Sequence, residues 1–377
     1  MNSSIVDSAG TWGTVYLREG GSLTLSGTTL ARNDGILAML IFAAADPPCF
    51  VTAEDTIVSD NTAGNAVHLD LGALGSSTWT RCAFLRNQGD SRFGGAAALY
   101  FNFGTSTVVD SVFAENIKDD DIGGAVTIRS GATVTFERTT FNANTAREAA
   151  AVSVEGASTV QFLSSVFTAN IGQQFGVVKV MGSSSVSLDD CELDANYMHS
   201  SNGGLYVGEA SDVVVRHSKL SNQQAFSYAA GAHIAGTSTL TIEDSLVEGN
   251  TALFEAGFAW VSGTSTVTCT RVEFRSNTAL AEGGVFTVDG ASTLKMVECW
   301  CVARMRFQHI PRFLKLPAAQ VYRKCRGHNR GRAFLARQRN GDVHTLELRR
   351  QRRGHKRCCL HSQGTRHLID RAGLHHR

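Results

Sequence analysis

Phe141-Asn142-Ala143-Asn144 sets an asparagine three residues after an aromatic, and the same spacing returns along most of the chain. Phe84/Asn87, Phe113/Asn116, Phe167/Asn170 and Phe274/Asn277 repeat it in full. Leu30/Asn33, Val58/Asn61, Leu193/Asn196 and Val247/Asn250 keep the asparagine behind an aliphatic, and Leu220/Gln223 keeps only an amide. The amides fall at 33, 61, 87, 116, 144, 170, 196, 223, 250 and 277, so successive gaps run from 26 to 29 residues. A fixed period in that range marks an array of stacked structural repeats.

Aligned on the amide, the columns sort by chemistry. Three positions before it stand Phe, Leu or Val. Five before it stand Thr28, Thr56, Cys82, Ser111, Thr139, Ser165, Cys191, Ser218 and Ser245. Eight before it the chain is apolar from Leu25 through Trp79, Phe136 and Phe162 to Cys269, and ten before it stand Val134, Val160, Val186, Val213, Leu240 and Val267. Alternation at spacing two is the strand signature. It slips once between the two groups, which marks a corner between two short strands. Turns such as Gly104-Thr105-Ser106 and Gly236-Thr237-Ser238 precede the first strand. A third strand follows the amide, as in Gly123-Gly124-Ala125-Val126-Thr127-Ile128.

Three strands and three turns per repeat make one coil of a parallel β-helix, an all-β solenoid of about ten coils over residues 1–300. Such a coil is too thin to bury its own apolar face, so coils must stack. The coil should be right-handed, as parallel crossovers almost always are. Like residues then lie on like: Phe on Phe inside, and amide on amide in a ladder of Asn33, Asn61, Asn87, Asn116, Asn144, Asn170, Asn196, Asn250 and Asn277. The apolar run from Ile36 to Ala45 replaces a strand of one repeat and is too short to span a bilayer.

Six before the amide lies a charged column: Asp55, Arg81, Asp110, Arg138, Ser164, Asp190, His217, Asp244, Arg271 and Glu298. Its sign alternates at nearly every step, so each acid is expected to face a base above and below. This is an exposed ion-pair ladder whose value is register, since a slip of one coil would stack like charges. Reversing Arg138 to Glu should then cost more stability than reversing Arg129, which stands outside the column.

Composition divides the chain. Residues 1–300 hold 15 Lys+Arg against 31 Asp+Glu, whereas residues 301–377 hold 20 against 3, together with eight of the twelve histidines. No repeat column is expected beyond Trp300. Arg349-Arg350-Gln351-Arg352-Arg353-Gly354-His355-Lys356-Arg357 has the composition of a nucleic-acid contact. Yet Arg, His and Cys rise together while Asp, Val and Thr vanish, as in an out-of-frame reading. Back-translating Gln351 to His361 and shifting one base forward permits Asn-Ala-Ala-Gly-Thr-Ser-Gly-Ala-Val-Tyr, close to the stretch from Asn277 to Phe286. The tail is therefore expected to be a basic, disordered segment. No nucleic-acid partner is expected unless the tail is genuine.

Gly94-Gly95-Ala96, Gly123-Gly124-Ala125-Val126, Gly203-Gly204-Leu205 and Gly283-Gly284-Val285, paired with Phe-x-x-Asn, resemble the repeats of polymorphic outer-membrane proteins. The right-handed β-helix domains of other large surface proteins look similar. The resemblance covers about residues 10–300 and implies a secreted or surface-exposed adhesin with a protein or polysaccharide ligand. Neither a signal peptide nor a membrane barrel accompanies it here. Met1 falls inside a repeat, implying a natural start further upstream. The repeat ends suggest end-to-end self-association.

Chemistry is sparse. Asp189 and Asp190, with His217 one coil later, resemble the Asp-Asp and His of a polygalacturonase-like site, where carboxylates serve as general acid and base. The same residues also read as rungs of the charge ladder, and His217 lacks flanking glycines. Asp119, Asp120 and Asp121 could donate oxygens to calcium, or form a solvated acidic turn. Phosphate-loop, zinc-protease and EF-hand motifs do not occur, so no cofactor is expected. The scattered cysteines read as small buried side chains. The leading expectation is a non-enzymatic adhesive or spacer protein, with a polysaccharide lyase or glycoside hydrolase as the alternative.

Overall fold

The computed structural model describes residues 3–10, 14–18, 20–42, 47–89, 95–200, 202–280, 283–302, 320–324 and 360–362. Gly94 and nearly all of the basic tail lie outside them. Every strand pairing is parallel and links one coil to the next, as between Thr140–Asn142 and Val166–Thr168 or Thr133–Glu137 and Thr159–Leu163. The chain is a parallel β-helix with three sheets. One runs over 12 strands from Ser3–Val6 to Trp300–Val302, and a second has its strands seven to eleven residues before each amide. The third sheet follows the amide. There the expected single strand is in most coils two, for example Thr145–Glu148 and Val152–Val154. Only Asp34–Phe42 and Thr62–Asp70 run through without a break. The loop between the two segments varies in length, so the strand is interrupted wherever extra residues must be accommodated.

The repeat also persists two residues past its expected end. Trp300–Val302 pairs with Glu273–Arg275 and sets Cys301 on Phe274. Further on, Gln320–Lys324 and Leu360–Ser362 pair with the last strands of the second and third sheets. This places Arg323 at the register position of Met296, where earlier coils carry apolar residues.

The interior is packed as columns. Phe84, Phe113, Phe141 and Phe167 stack face to face, with centroids 4.5, 5.1 and 4.7 Å apart and planes within 9°. Phe136 and Phe162 stack beside them at 5.0 Å and meet Phe141 edge-on. Each such pair contributes about 1 kcal/mol beyond the area it buries. From the apolar run, Leu37 through Ile41 is buried. The expected slip between the first two strands is a single residue in the left-handed region. Asp55, Arg81, Asp110 and Arg138 have φ of 48–52°, and Gly27 takes the same place at 54°. Each non-glycine residue there is strained by roughly 1 kcal/mol, so the coil's geometry must be enforced elsewhere.

The asparagines enforce it. Each side-chain oxygen from Asn61 to Asn196 accepts two bonds from the asparagine one coil back, from its Nδ2 at 2.9–3.0 Å and from its backbone N–H at 2.9–3.3 Å. Each Nδ2 spends its other proton on the carbonyl three residues before the preceding amide, as in Asn144 to Phe113 at 2.9 Å. The buried amides between Asn61 and Asn170 thus fill both donors and both lone pairs. The glycine pairs have a different task. Gly123 sits at φ +71 with Thr127 Oγ1 only 2.1 Å from where a Cβ would stand, and Gly283 repeats this over Thr287.

Removing one rung strands several buried groups together. Asn144→Ala is expected to lower unfolding free energy by at least about 3 kcal/mol, against about 0.5 kcal/mol for the half-buried Asn142→Ala two residues earlier. Chemical denaturation of both variants checks this; equal losses would deny the ladder its role.

Candidate functional site

The charged corner contains the residues singled out from sequence. Arg81 binds Asp55 at 2.8 Å, Arg138 binds Asp110 at 2.7 Å and Arg271 binds Asp244 at 2.5 Å. In every case arginine reaches back one coil, so the column is a set of pairs rather than a continuous ladder. The arginine hydrogen bond holds the carboxyl of Asp55, Asp110 and Asp244 below its usual range. The step from Asp190 to His217 is not a pair. Asp190 accepts from Ser164 Oγ at 3.1 Å, while His217 Nδ1 lies 2.7 Å from Asp189 Oδ1. Glu298 influences Arg271 through its charge.

A second column of the same kind stands just before the amide and was missed in the sequence. Arg32 binds Asp7 and Arg86 binds Asp60, both at 2.7 Å, with the charge of Glu115 acting on Arg86 from the next coil. These five residues also have φ of 51–58°. Alanine takes over at 143, 169 and 195, which hid the alternation.

This corner is poorly built for catalysis. The side chains of His217 and Asp189 are 60% and 47% exposed, and the Asp189 hydrogen bond raises the imidazole's pKa. General acid–base work needs groups held against substrate with separated affinities for protons. The side chains of Asp119, Asp120 and Asp121 lie outside the described residues. Among the described residues no group of three or more His, Cys, Asp or Glu is placed to hold a metal ion. The six cysteines among the described residues are buried, and burial pushes Cys82 and Cys191 up to about 11.

The outer surface of the third sheet is different. Its register aligns His68, Tyr100, Thr127, Ser153, Lys179, Tyr206, His233, Trp260 and Thr287 on successive coils. Lys179, only 7% exposed, lies 3.0 Å from both Glu148 and Glu155. Glu155 also takes a bond from Arg129 at 2.9 Å and one from Ser153 at 3.1 Å. A cavity of about 450 Å³ opens beside this network, lined by Arg129, Glu155, Lys179 and Glu209 with Ile122 and Met181. Burial works against both charges, yet Lys179 and Arg129 bring Glu155 below its ordinary pKa, and Glu155 and Glu148 raise Lys179.

Toward the C-terminal coils the same face becomes aromatic. His233 stacks on Trp260 at 4.3 Å, and Tyr228 lies against Trp260 at 4.9 Å. The indole Nε1 donates to Asp289 at 2.7 Å. Burial lowers His233 to about 4, so it is neutral at pH 7. On the adjoining loops Phe226, Leu253, Phe254 and Leu280 are 40–64% exposed. Alignment on the asparagines could not reveal this face, because the loop after each amide differs in length. Alignment on the glycine pairs would have brought Thr127 and Thr287 into one column, with Tyr206 one residue out of step.

Two carboxylates on one ammonium beside a cavity are the nearest approach to a hydrolase pair. A working pair needs one carboxyl that holds its proton near neutrality, and here lysine and arginine hold Glu155 ionised. The arrangement suits holding a ligand rather than moving protons. Arg129 also proves unsuitable as the neutral comparison for Arg138, since it is part of this network.

The pH dependence follows from the signs. Glu155 is lowered, so its contribution is full above an unfolded glutamate's pKa of about 4.3 and is lost as pH falls through the lowered value. Lys179 is raised, so its contribution is present below about 10.4 and is lost as pH rises through the raised value. Lys179→Met is therefore expected to cost about 3 kcal/mol at pH 7 and less at pH 4, measured by denaturant titration. The same cost at both pH values would mean that the lysine serves packing alone.

Residues 176–305 match the family model described as right handed beta helix region. No curated protein and no solved structure matches the chain. The chain thus carries a right-handed parallel β-helix.

Proposed function

We propose that this β-helix is a non-enzymatic, secreted or surface-displayed protein that acts in adhesion. In this reading the outer face of the third sheet meets the ligand and the stacked coils act as a spacer. The observation that carries the proposal is the Glu148–Lys179–Glu155–Arg129 network. It borders a cavity, its charges are spent on one another, and the exposed Phe226, Leu253, Phe254 and Leu280 extend the face over later coils. Contiguous exposed apolar side chains are a mark of interaction surfaces. The repeats' resemblance to those of polymorphic outer-membrane proteins supports the location and the adhesive role. The ligand is a surface protein or polysaccharide, and end-to-end self-association of rods would extend their reach.

The alternative, a polysaccharide lyase or glycoside hydrolase, now attaches to Glu148 and Glu155 rather than to Asp189, Asp190 and His217. Incubation with pectin and alginate is expected to release neither reducing ends nor unsaturated product. Retention on cells or immobilised polysaccharide should fall at least tenfold in Leu253→Asp/Phe254→Asp, a loss of about 1.4 kcal/mol. Product that disappears in Glu155→Gln would instead establish the enzyme. Residues 301–377 carry the nucleic-acid reading and lie for the most part outside the described residues. Their deletion is expected to leave adhesion intact.

A further inference from the structure

The amide ladder has one defect. Gln223 stands where nine other coils carry asparagine, and its additional methylene swings the amide out of line. Its Nε2 donates to the carbonyls of Leu193 and Ser221 at 2.7 and 2.8 Å. Its Oε1 is buried without a partner. Asn196 keeps its bond to Phe167 at 3.0 Å, but neither its Nδ2 nor its N–H has the onward bond that the preceding rungs make.

Two other columns change character near this step. The phenylalanine stack ends at Phe167, and Leu193 and Leu220 follow it. At the charged corner the step is bridged by His217 Nδ1, which lies 2.7 Å from Asp189 Oδ1 instead of meeting Asp190. Backbone pairing of all three sheets continues across the step, with buried bonds from Gln223 Nε2 to Leu193 and from the Cys191 N–H to Ser218 Oγ at 2.9 Å. At the surface Lys219 reaches Glu192 at 3.1 Å, Ser221 reaches Asp194 at 2.6 Å and Asn222 reaches Asp194 at 2.8 Å. What the step lacks is the pair of amide-ladder bonds from Asn196. Beyond it the ladder resumes with Asn250 and Asn277 at 2.8 Å.

We infer that the rod is two rigid blocks joined by a compliant seam between the Asn196 and Gln223 coils, where it opens first under heat or tension. A buried oxygen without a donor favours opening, because water satisfies it. A rod that anchors one partner to another gains from a fixed yielding point: load is relieved there while both blocks stay folded.

Residue-resolved hydrogen exchange on the whole chain tests this. The backbone amide of Asn196 is expected to exchange at least about tenfold faster than that of Asn170. Gln223→Asn should bring it down to the Asn170 rate. Asn170→Gln should create a second fast site at Asn144, which keeps the test informative if the first variant folds poorly. Equal protection of Asn196 and Asn170 in the native chain, or no response to Gln223→Asn, would overturn the seam.

Discussion

An asparagine oxygen that accepts two hydrogen bonds from the coil beneath it is the constraint on which this structure depends. It fixes the vertical step, because donors on one coil and acceptor on the next must meet within 2.8–3.3 Å. It fixes the residue type, because glutamine reaches past the acceptor, as Gln223 does. It also offsets the strain at the charged corners, where aspartate and arginine are held at positive φ. A buried polar network is favourable only when every member is satisfied, and from Asn61 to Asn170 that condition is met. Phenylalanine stacking follows from the same alignment, since rings three residues before the amide are carried into register with it.

The three sheets divide the work. The first two turn inward residues to the core and place paired charges on exposed corners, which set register. The third carries loops of variable length over its outer face, and these cover Lys179, His233 and Trp260 enough to make them a built surface. The proposed ligand surface is accordingly placed on that side.

Legibility in the sequence follows the same division. From the first turn to the amide every coil has nearly constant length, so the core columns, the amide column and the charged column could be read by counting. The pairing direction could not: that arginine reaches back one coil, and that His217 chooses Asp189 over Asp190, depends on side-chain reach at positive φ. After the amide the insertions differ, so His68, Tyr100 and Lys179 fall at unlike distances from it and their common face was invisible. The split third strand and the extension to Val302 were missed for the same reason, because the ruler counted amides and not strands.

The most direct test of the amide ladder is the exchange of the asparagine side-chain Nδ2 protons with solvent, followed by NMR. Protons of Asn61, Asn87, Asn116, Asn144 and Asn170 should be protected to the level of core backbone amides, with Asn196 faster than the rest. Exchange of all of these at the rate of solvent-exposed asparagine amides would contradict the account, since stacking would then rest on the apolar columns alone.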